Sequence, residues 1–346
     1  MNSLDGKRIL ITGGTGSIGS TLVRELLSNY HPKQIRVFSR GDTKQFLLMQ
    51  ELAENAPVNF LIGDVRDKDR LMRAMENVDI VFHCAALKHV PLCERNSFEA
   101  FNTNVCGTQN VIDCAIARGV DKVVNISTDK AVNPTSVMGT TKLLAEKLIL
   151  STIFYKGDNK TKFCCVRFGN VLWSRGSVLP LFVKQIMSGK SITLTNPSMT
   201  RFFMSLEEAA RLVISASEMT KMSEIFVLKM PAVTMGDIAK ALQEIMLEEK
   251  LIDKPAKISI IGHRDGERVH EKLLTLEESE KALETKNLYI ILPDFSVMPK
   301  DKIPSIMYSG AKKAKAGEYG TKDSQLLSVK ETKKLLRQGD FYKNFL

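Results

Sequence analysis

The segment Thr12-Gly13-Gly14-Thr15-Gly16-Ser17-Ile18-Gly19 constrains this chain more than any other stretch. It follows a short apolar run at residues 8–12, which reads as a buried parallel strand. It opens a stretch at 17–28 whose Leu/Val spacing reads as a helix. Gly13, Gly16 and Gly19 give a GxxGxxG spacing between the two. Glycines there permit a tight turn and let backbone N–H groups approach a pyrophosphate, and the helix N-terminus adds a favourable dipole. The expectation is a dinucleotide site formed by Thr12, Gly13, Gly16, Ser17, Ile18 and Gly19. A plain tight turn is the alternative.

Further strands are expected at 34–39, 59–62, 80–85, 122–127 and 163–168. Helices are expected at 43–54, 96–118 and 138–156. Strict alternation predicts an α/β fold: a Rossmann-like, doubly wound parallel sheet with helices on both faces. Beyond about residue 170 the pattern breaks up. Short strands at 192–194, 224–228 and 257–261 mix with helices at 178–188, 206–217 and 235–248. The expected organisation is a dinucleotide-binding domain at 1–169 and a smaller mixed α/β substrate-binding lobe at 170–300, with segments returning to the first domain. A polar, lysine-rich tail at 301–346 ends in a helix at 329–337.

Composition narrows the function classes. With 44% apolar residues in 346, a sizeable core is expected. The net charge of +10 suits nucleic acid, an anionic membrane, a phosphorylated small molecule or merely a basic surface. The densest group, Lys312, Lys313 and Lys315, is short and has few aromatics nearby, which argues against a nucleic-acid module. No run of about 18 apolar residues exists to span a membrane. Met1 and Asn2 lead straight towards a strand, so no signal peptide is expected. The six cysteines show no CxxC or Cys/His metal spacing. They predict free thiols in a reducing cytoplasm and no metal site.

The end of the second strand bears on cofactor choice. NAD-binding chains usually carry Asp or Glu there for the ribose hydroxyls. Here Ser39 and Arg40 occupy the slot, with Lys44 following. A guanidinium suits a 2′-phosphate, so NADP is expected; a surface arginine is the alternative. Asp64 and Val65, after the third strand, are placed to meet the adenine.

Several later segments carry a resemblance. They are AALKHVP at 85–91, STDKAVNP at 127–134, RFGNV at 167–171, SRGSVLPLF at 174–182, MTRFFMS at 199–205 and the stretch 262–271. With the glycine loop they resemble the extended short-chain dehydrogenase/reductases. More narrowly, the chain is similar to the bacterial UDP-N-acetylglucosamine 4,6-dehydratases of capsule and flagellin-sugar pathways. The similarity covers almost the whole chain, including Gly317-Glu318-Tyr319 and Leu326-Leu327 in the tail.

The resemblance implies an internal redox reaction: hydride leaves C4 of the sugar for NADP, a base removes the C5 proton, water leaves from C6, and hydride returns at C6. It assigns Asp129 to protonating the C6 hydroxyl and Lys130 to proton traffic at C5. A solvated Asp-Lys pair at a strand end is the alternative. Lys142 matches the lysine of the YxxxK signature, which binds the nicotinamide ribose, and Ala85 and Ala86 join the cofactor set. Where that signature has Tyr, this chain has Met138, whose thioether cannot take the C4 hydroxyl proton. Lys130, Asp129, Thr128 or a water then takes it, or the chain is a catalytically inactive NADP-binding partner.

Lys88, Asn170, Arg175, Arg201, Arg264 and Glu267 match the family's substrate contacts, and arginine's planar fork suits a diphosphate. The implied substrate is UDP-N-acetylglucosamine and the implied product a UDP-2-acetamido-2,6-dideoxy-hexos-4-ulose, with C5 inverted to L-arabino. A 4-epimerase, or a dehydratase of another nucleotide sugar, is the enzymatic alternative. The resemblance also implies a homo-oligomer, dimer or hexamer, serving surface polysaccharide or glycoprotein sugar synthesis.

Overall fold

The computed structural model describes residues 3–262, 266–295 and 308–338. Its first half alternates β1 (Arg8–Thr12), α1 (Ser17–Asn29), β2 (Gln34–Ser39), α2 (Asp42–Glu51), β3 (Val58–Ile62), α3 (Lys68–Ala74) and β4 (Ile80–His83). Then come α4 (Val90–Arg95), α5 (Ser97–Phe101), α6 (Gly107–Arg118), β5 (Lys122–Ile126), α7 (Val137–Tyr155) and β6 (Lys162–Arg167). The second half holds β7 (Asn170–Val171), α8 (Val178–Met187), β8 (Ile192–Leu194), β9 (Thr200–Met204), α9 (Leu206–Met219), β10 (Ser223–Leu228), β11 (Ala232–Thr234) and α10 (Met235–Glu248). It closes with β12 (Ile258–Ile260), β13 (Lys272–Leu274), α11 (Leu276–Glu280), β14 (Ala282–Glu284), β15 (Leu288–Ile291), β16 (Lys312–Lys313), β17 (Tyr319–Gly320) and α12 (Val329–Leu336).

The main sheet runs β16-β14-β15-β10-β6-β5-β4-β1-β2-β3. From β3 to β10 every pairing is parallel, and β15, β14 and β16 add an antiparallel edge. The parallel strands are nearly continuous apolar runs because helices cover both faces. Helix α1 lies against α9, while α6 packs beside α3 and α7. The fold is therefore Rossmann-like and doubly wound. Strand order reverses between β1 and β4, so a crevice opens beyond their carboxyl ends.

Two apolar cores form. The larger lines the sheet and its helices, and takes in Leu273, Leu274, Ala282 and Ala314 from the second half. The smaller gathers Trp173, Phe182, Phe203 and the buried face of α10, with Leu335 and Leu336 of α12. The tail thus feeds both: β16 extends the main sheet, and the Leu336 carbonyl accepts from Trp173 Nε1 at 3.1 Å.

One long helix expected at 96–118 is broken into α5, a π-helical turn at Asn102–Cys106, and α6. The break turns Asn104 inward. Its side chain accepts from the Leu87 backbone N–H (2.8 Å) and donates to the Leu87 carbonyl (3.0 Å) and to Thr141 Oγ1 (3.0 Å). Such single π turns cluster at functional sites, and this one pins the loop that carries Lys88.

Candidate active site

The glycine loop lies at the carboxyl end of β1. Gly13 adopts φ +64°, and a Cβ there would stand 2.7 Å from the Ala85 nitrogen. A Cβ on Gly19 would stand 2.5 Å from the Gly13 carbonyl oxygen. Gly16 caps the N-terminus of α1. This is a cradle that side chains would fill, and it fits a pyrophosphate. Beside it, a cavity of about 530 Å³ is lined by Ser39, Arg40, Lys44, Asp64, Val65 and Ala85, among others. Ser39 Oγ accepts from Thr15 Oγ1 and Gln45 Nε2, at 3.1 and 3.0 Å. Burial raises the Asp64 carboxyl, but bonds from Arg66 outweigh it and hold the group below its usual range. The residues present fit a dinucleotide.

The Thr12 side chain lies in the core, bonded to His83 Nδ1 at 2.7 Å. His83 is correspondingly a core histidine, its second ring nitrogen 3.1 Å from Thr108 Oγ1. Burial lowers its pKa to about 3.

A larger cleft of about 1060 Å³ adjoins the first cavity. Of the candidate residues, Thr128, Lys130, Met138 and Lys142 form one part of its wall, with Lys88, Asn170, Arg175, Arg201 and Glu267 elsewhere on it. Ser17, Ile18, Gly19 and Ala86 join it from the cofactor side. Arg264 lies outside the described residues. Arg175 bridges to the glycine loop, its backbone N–H donating to Ser17 Oγ (3.0 Å) and its guanidinium to the Thr15 carbonyl. Burial, then the Arg175 charge, lowers the Lys88 pKa.

The catalytic candidates sit on one turn against one helix. Thr128 caps the short 3-10 turn Asp129–Ala131. Asp129 is fully buried. Its Oδ1 accepts from Thr128 Oγ1 and Lys130 Nζ, both at 2.9 Å, while its Oδ2 has no hydrogen-bond partner among the described residues. Asp129 is thus set one side chain back: Thr128 and Lys130 face the cleft and the carboxylate does not. Lys130 keeps 30% of its side chain exposed.

The turn packs on the first turn of α7, which Ser136 caps by accepting from the Gly139 N–H at 3.2 Å. A Cβ on Gly139 would collide with the Lys130 carbonyl oxygen. Gly139→Ala should therefore displace Lys130, lowering kcat about a hundredfold while cofactor affinity holds. Steady-state kinetics beside a cofactor titration checks this.

On α7, Met138, Lys142 and Glu146 recur every four residues and share one face. Met138 is packed with Cys93 and Ala100. Lys142 Nζ donates to the Ile126 carbonyl at 2.5 Å, and burial lowers its pKa. Glu146 accepts from Ser127 and from Arg167, whose guanidinium also bonds Glu278 and the Leu273 carbonyl. Sequence reasoning missed Glu146, although its helical spacing from Lys142 could have shown it. Among the described residues no group of acidic, His or Cys side chains could hold a metal. No helix among them is long and apolar enough to cross a membrane.

The chain resembles known proteins over its whole length. The sequence profile of the family described as Polysaccharide biosynthesis protein matches residues 9–293. A Methanocaldococcus jannaschii protein, described as an uncharacterized membrane protein, is 49% identical over 337 residues, 96% of each chain. The UDP-N-acetylglucosamine 4,6-dehydratase (inverting) of Campylobacter jejuni is 42% identical, covering 94% of this chain and 95% of that one. The UDP-glucose 4-epimerase of Rickettsia canadensis is 43% identical, covering 95% of each. The X-ray structure of Pen from Bacillus thuringiensis shares 43% identity and superposes with a TM-score of 0.89 over 99% of this chain and 100% of that one.

Proposed function

The chain belongs to the polysaccharide biosynthesis protein family, and from that premise we propose that it is an NADP-dependent UDP-N-acetylglucosamine 4,6-dehydratase that inverts C5. The observation that carries this reading is the Asp129–Lys130 pair, an acid and a base 2.9 Å apart with the ammonium facing the cleft. Elimination across C5 and C6 needs such a pair; epimerisation at C4 alone does not. The inverting Campylobacter relative supports the substrate and the stereochemistry.

A nicotinamide, when bound, would supply the hydride acceptor for C4 and the hydride donor for C6. Lys142 would hold its ribose, and Gly13, Gly16 and Gly19 its pyrophosphate. Lys88 and Arg175 would meet the sugar nucleotide's diphosphate. Shift of one proton across the Lys130–Asp129 hydrogen bond yields an amine and a carboxylic acid. The amine takes the C5 proton. The acid protonates the departing C6 oxygen through the Thr128 hydroxyl, the member of the pair's hydrogen-bond network that faces the cleft. Met138 has no proton to exchange, so the C4 hydroxyl proton leaves through the Thr128 hydroxyl to solvent, and the Lys130 amine stays free for the C5 proton. The O4 proton leaves to solvent and the C5 proton enters the pair; the pair's acid protonates the C6 oxygen, and a solvent proton returns to C5 on the opposite face, which inverts it. The group ends as it began.

The Rickettsia relative favours a second reading, 4-epimerisation. Mass spectrometry of UDP-N-acetylglucosamine incubated with the purified, NADP-loaded protein separates the two. Loss of one water supports dehydration. An unchanged mass with inverted C4 establishes the epimerase, and an unchanged sugar beside bound NADP leaves only a binding protein. For the cofactor, Arg40→Ala should narrow the preference for NADP over NAD by about tenfold. Paired Kd measurements check that; an unaltered ratio removes Arg40 from cofactor choice.

A further inference from the structure

We infer that Glu271 is a positioning residue that fixes the place and charge of Lys130 from across the cleft wall. Nothing in the sequence motifs assigns it a role. It precedes β13 and is buried, with 3% of its surface exposed. Its Oε1 lies 3.7 Å from Lys130 Nζ and 3.5 Å from Arg201 Nε. Its Oε2 has no hydrogen-bond partner among the described residues.

Among the described residues Asp129, the other carboxylate beside Lys130, shares such an orphaned oxygen, whereas buried Glu146 and Glu224 do not. Both oxygens of Glu146 are bonded, to Ser127 and Arg167. Both oxygens of Glu224 are bonded too, to Thr220 and to the Lys221 and Met222 N–H groups. A carboxylate kept for architecture is satisfied at each oxygen, because an orphaned buried acceptor is destabilising. Glu271 bears that cost, and what offsets it is ionic attraction to Lys130 and Arg201.

The backbone around Glu271 is fixed as a functional anchor requires. Its N–H donates to Thr321 Oγ1 (2.9 Å), and its carbonyl accepts from the Thr321 N–H (2.8 Å). Thr321 Oγ1 accepts in turn from Thr200 Oγ1 (2.7 Å), which stands 2.8 Å from His270 Nδ1. Thr321, directly after β17, therefore holds the backbone that carries the carboxylate. Arg201 is committed as well: its terminal nitrogens donate to the carbonyls of Thr200 and Arg268 at 2.8 Å. Three charged groups thus surround the Lys130 ammonium: Asp129, Glu271 and Arg201. Burial and Arg201 disfavour the charge, and the two carboxylates outweigh them.

The consequence for turnover rests on the proposed dehydratase reading; the effect on Lys130 itself does not. The test is therefore made on Lys130 directly. The full-length, NADP-loaded protein is trace-labelled with acetic anhydride across an alkaline pH series, and acetylation at Lys130 is read by mass spectrometry. In Glu271→Gln the amine fraction rises, so labelling at a fixed pH below the midpoint should increase roughly tenfold relative to surface lysines. Glu271→Asp, one methylene shorter, should give a smaller rise in the same direction, and it carries the test if Glu271→Gln does not fold. An unchanged Lys130 labelling rate in the folded variant overturns the inference. If dehydration is also measurable, the limb of its pH profile that vanishes in Lys130→Arg should move to lower pH in Glu271→Gln. Labelling that shifts while wild-type protein dehydrates nothing would uphold Glu271 and refute the dehydratase.

Discussion

Lys130→Arg lowers kcat by about three orders of magnitude and leaves cofactor binding intact. Arginine keeps the positive charge that Asp129 and Glu271 surround, so the local ion pairs survive. It does not give up its proton at any working pH, so it cannot act as the C5 base. Lys130→Ala fails for two reasons at once, because it also leaves buried Asp129 without its cation and Glu271 with Arg201 alone. Asp129→Asn should lose turnover to a similar degree. Its amide can still sit under Thr128 but cannot carry the proton. Stopped-flow kinetics with a parallel cofactor titration measures both. Near-normal turnover in Lys130→Arg would mean that Lys130 serves only as a charge.

The second large effect is on stability. Arg167→Met should lower the unfolding free energy by about 3–5 kcal/mol. The guanidinium is fully buried and joins Glu146 on α7 to Glu278 and the Leu273 carbonyl. Methionine fills part of the space and leaves Glu146 as an uncompensated buried charge. The urea midpoint should fall with an unchanged slope. The effect also has a pH sign. Burial raises the Glu278 carboxyl, but Arg167 outweighs it and holds the folded value below the ordinary one. The stabilisation is therefore present above the unfolded pKa and is lost as pH falls through the folded pKa. Acidification below the usual carboxylate range should narrow the gap between wild type and Arg167→Met. A gap independent of pH would show that the variant acts by packing alone.

Much of the fold was legible because it depends on local signals. Gly13, Gly16 and Gly19 sit between a strand and a helix, and only close backbone approach makes all three necessary. Short apolar runs separated by helical periods identified the parallel strands, since burial on both faces removes polar residues from them. The π turn was not legible: residues 96–118 keep a helical pattern throughout, and the extra residue is absorbed by hydrogen bonds from Asn104 to a distant loop. The small strands of the second half were hard to read because they are two to six residues long and pair across the chain, as β13 does with β17.

The site divides in the same way. Asp129, Lys130, Met138 and Lys142 lie close in sequence, and the structure brings all but Asp129 to the cleft wall. The resemblance assigns Asp129 to protonating the C6 hydroxyl; a strand-end dipeptide does not show which of its two side chains turns inward, and here the Asp129 carboxylate lies behind Thr128 and Lys130. Glu271 and Arg167 act over long sequence separations, so no local pattern announces them. Arg167 stood within RFGNV as a motif letter; its physical reason is the buried Glu146 and the partly buried Glu278.

The central claim is that Lys130 and Asp129 drive elimination across C5 and C6. Proton NMR of the NADP-loaded enzyme with UDP-N-acetylglucosamine in deuterated water tests it most directly. The expected result is a 4-keto-6-deoxy product with deuterium at an inverted C5, formed by wild-type protein and absent with Lys130→Arg. A product that retains its original proton at C5, or a C4 epimer that still carries its C6 hydroxyl, would contradict it.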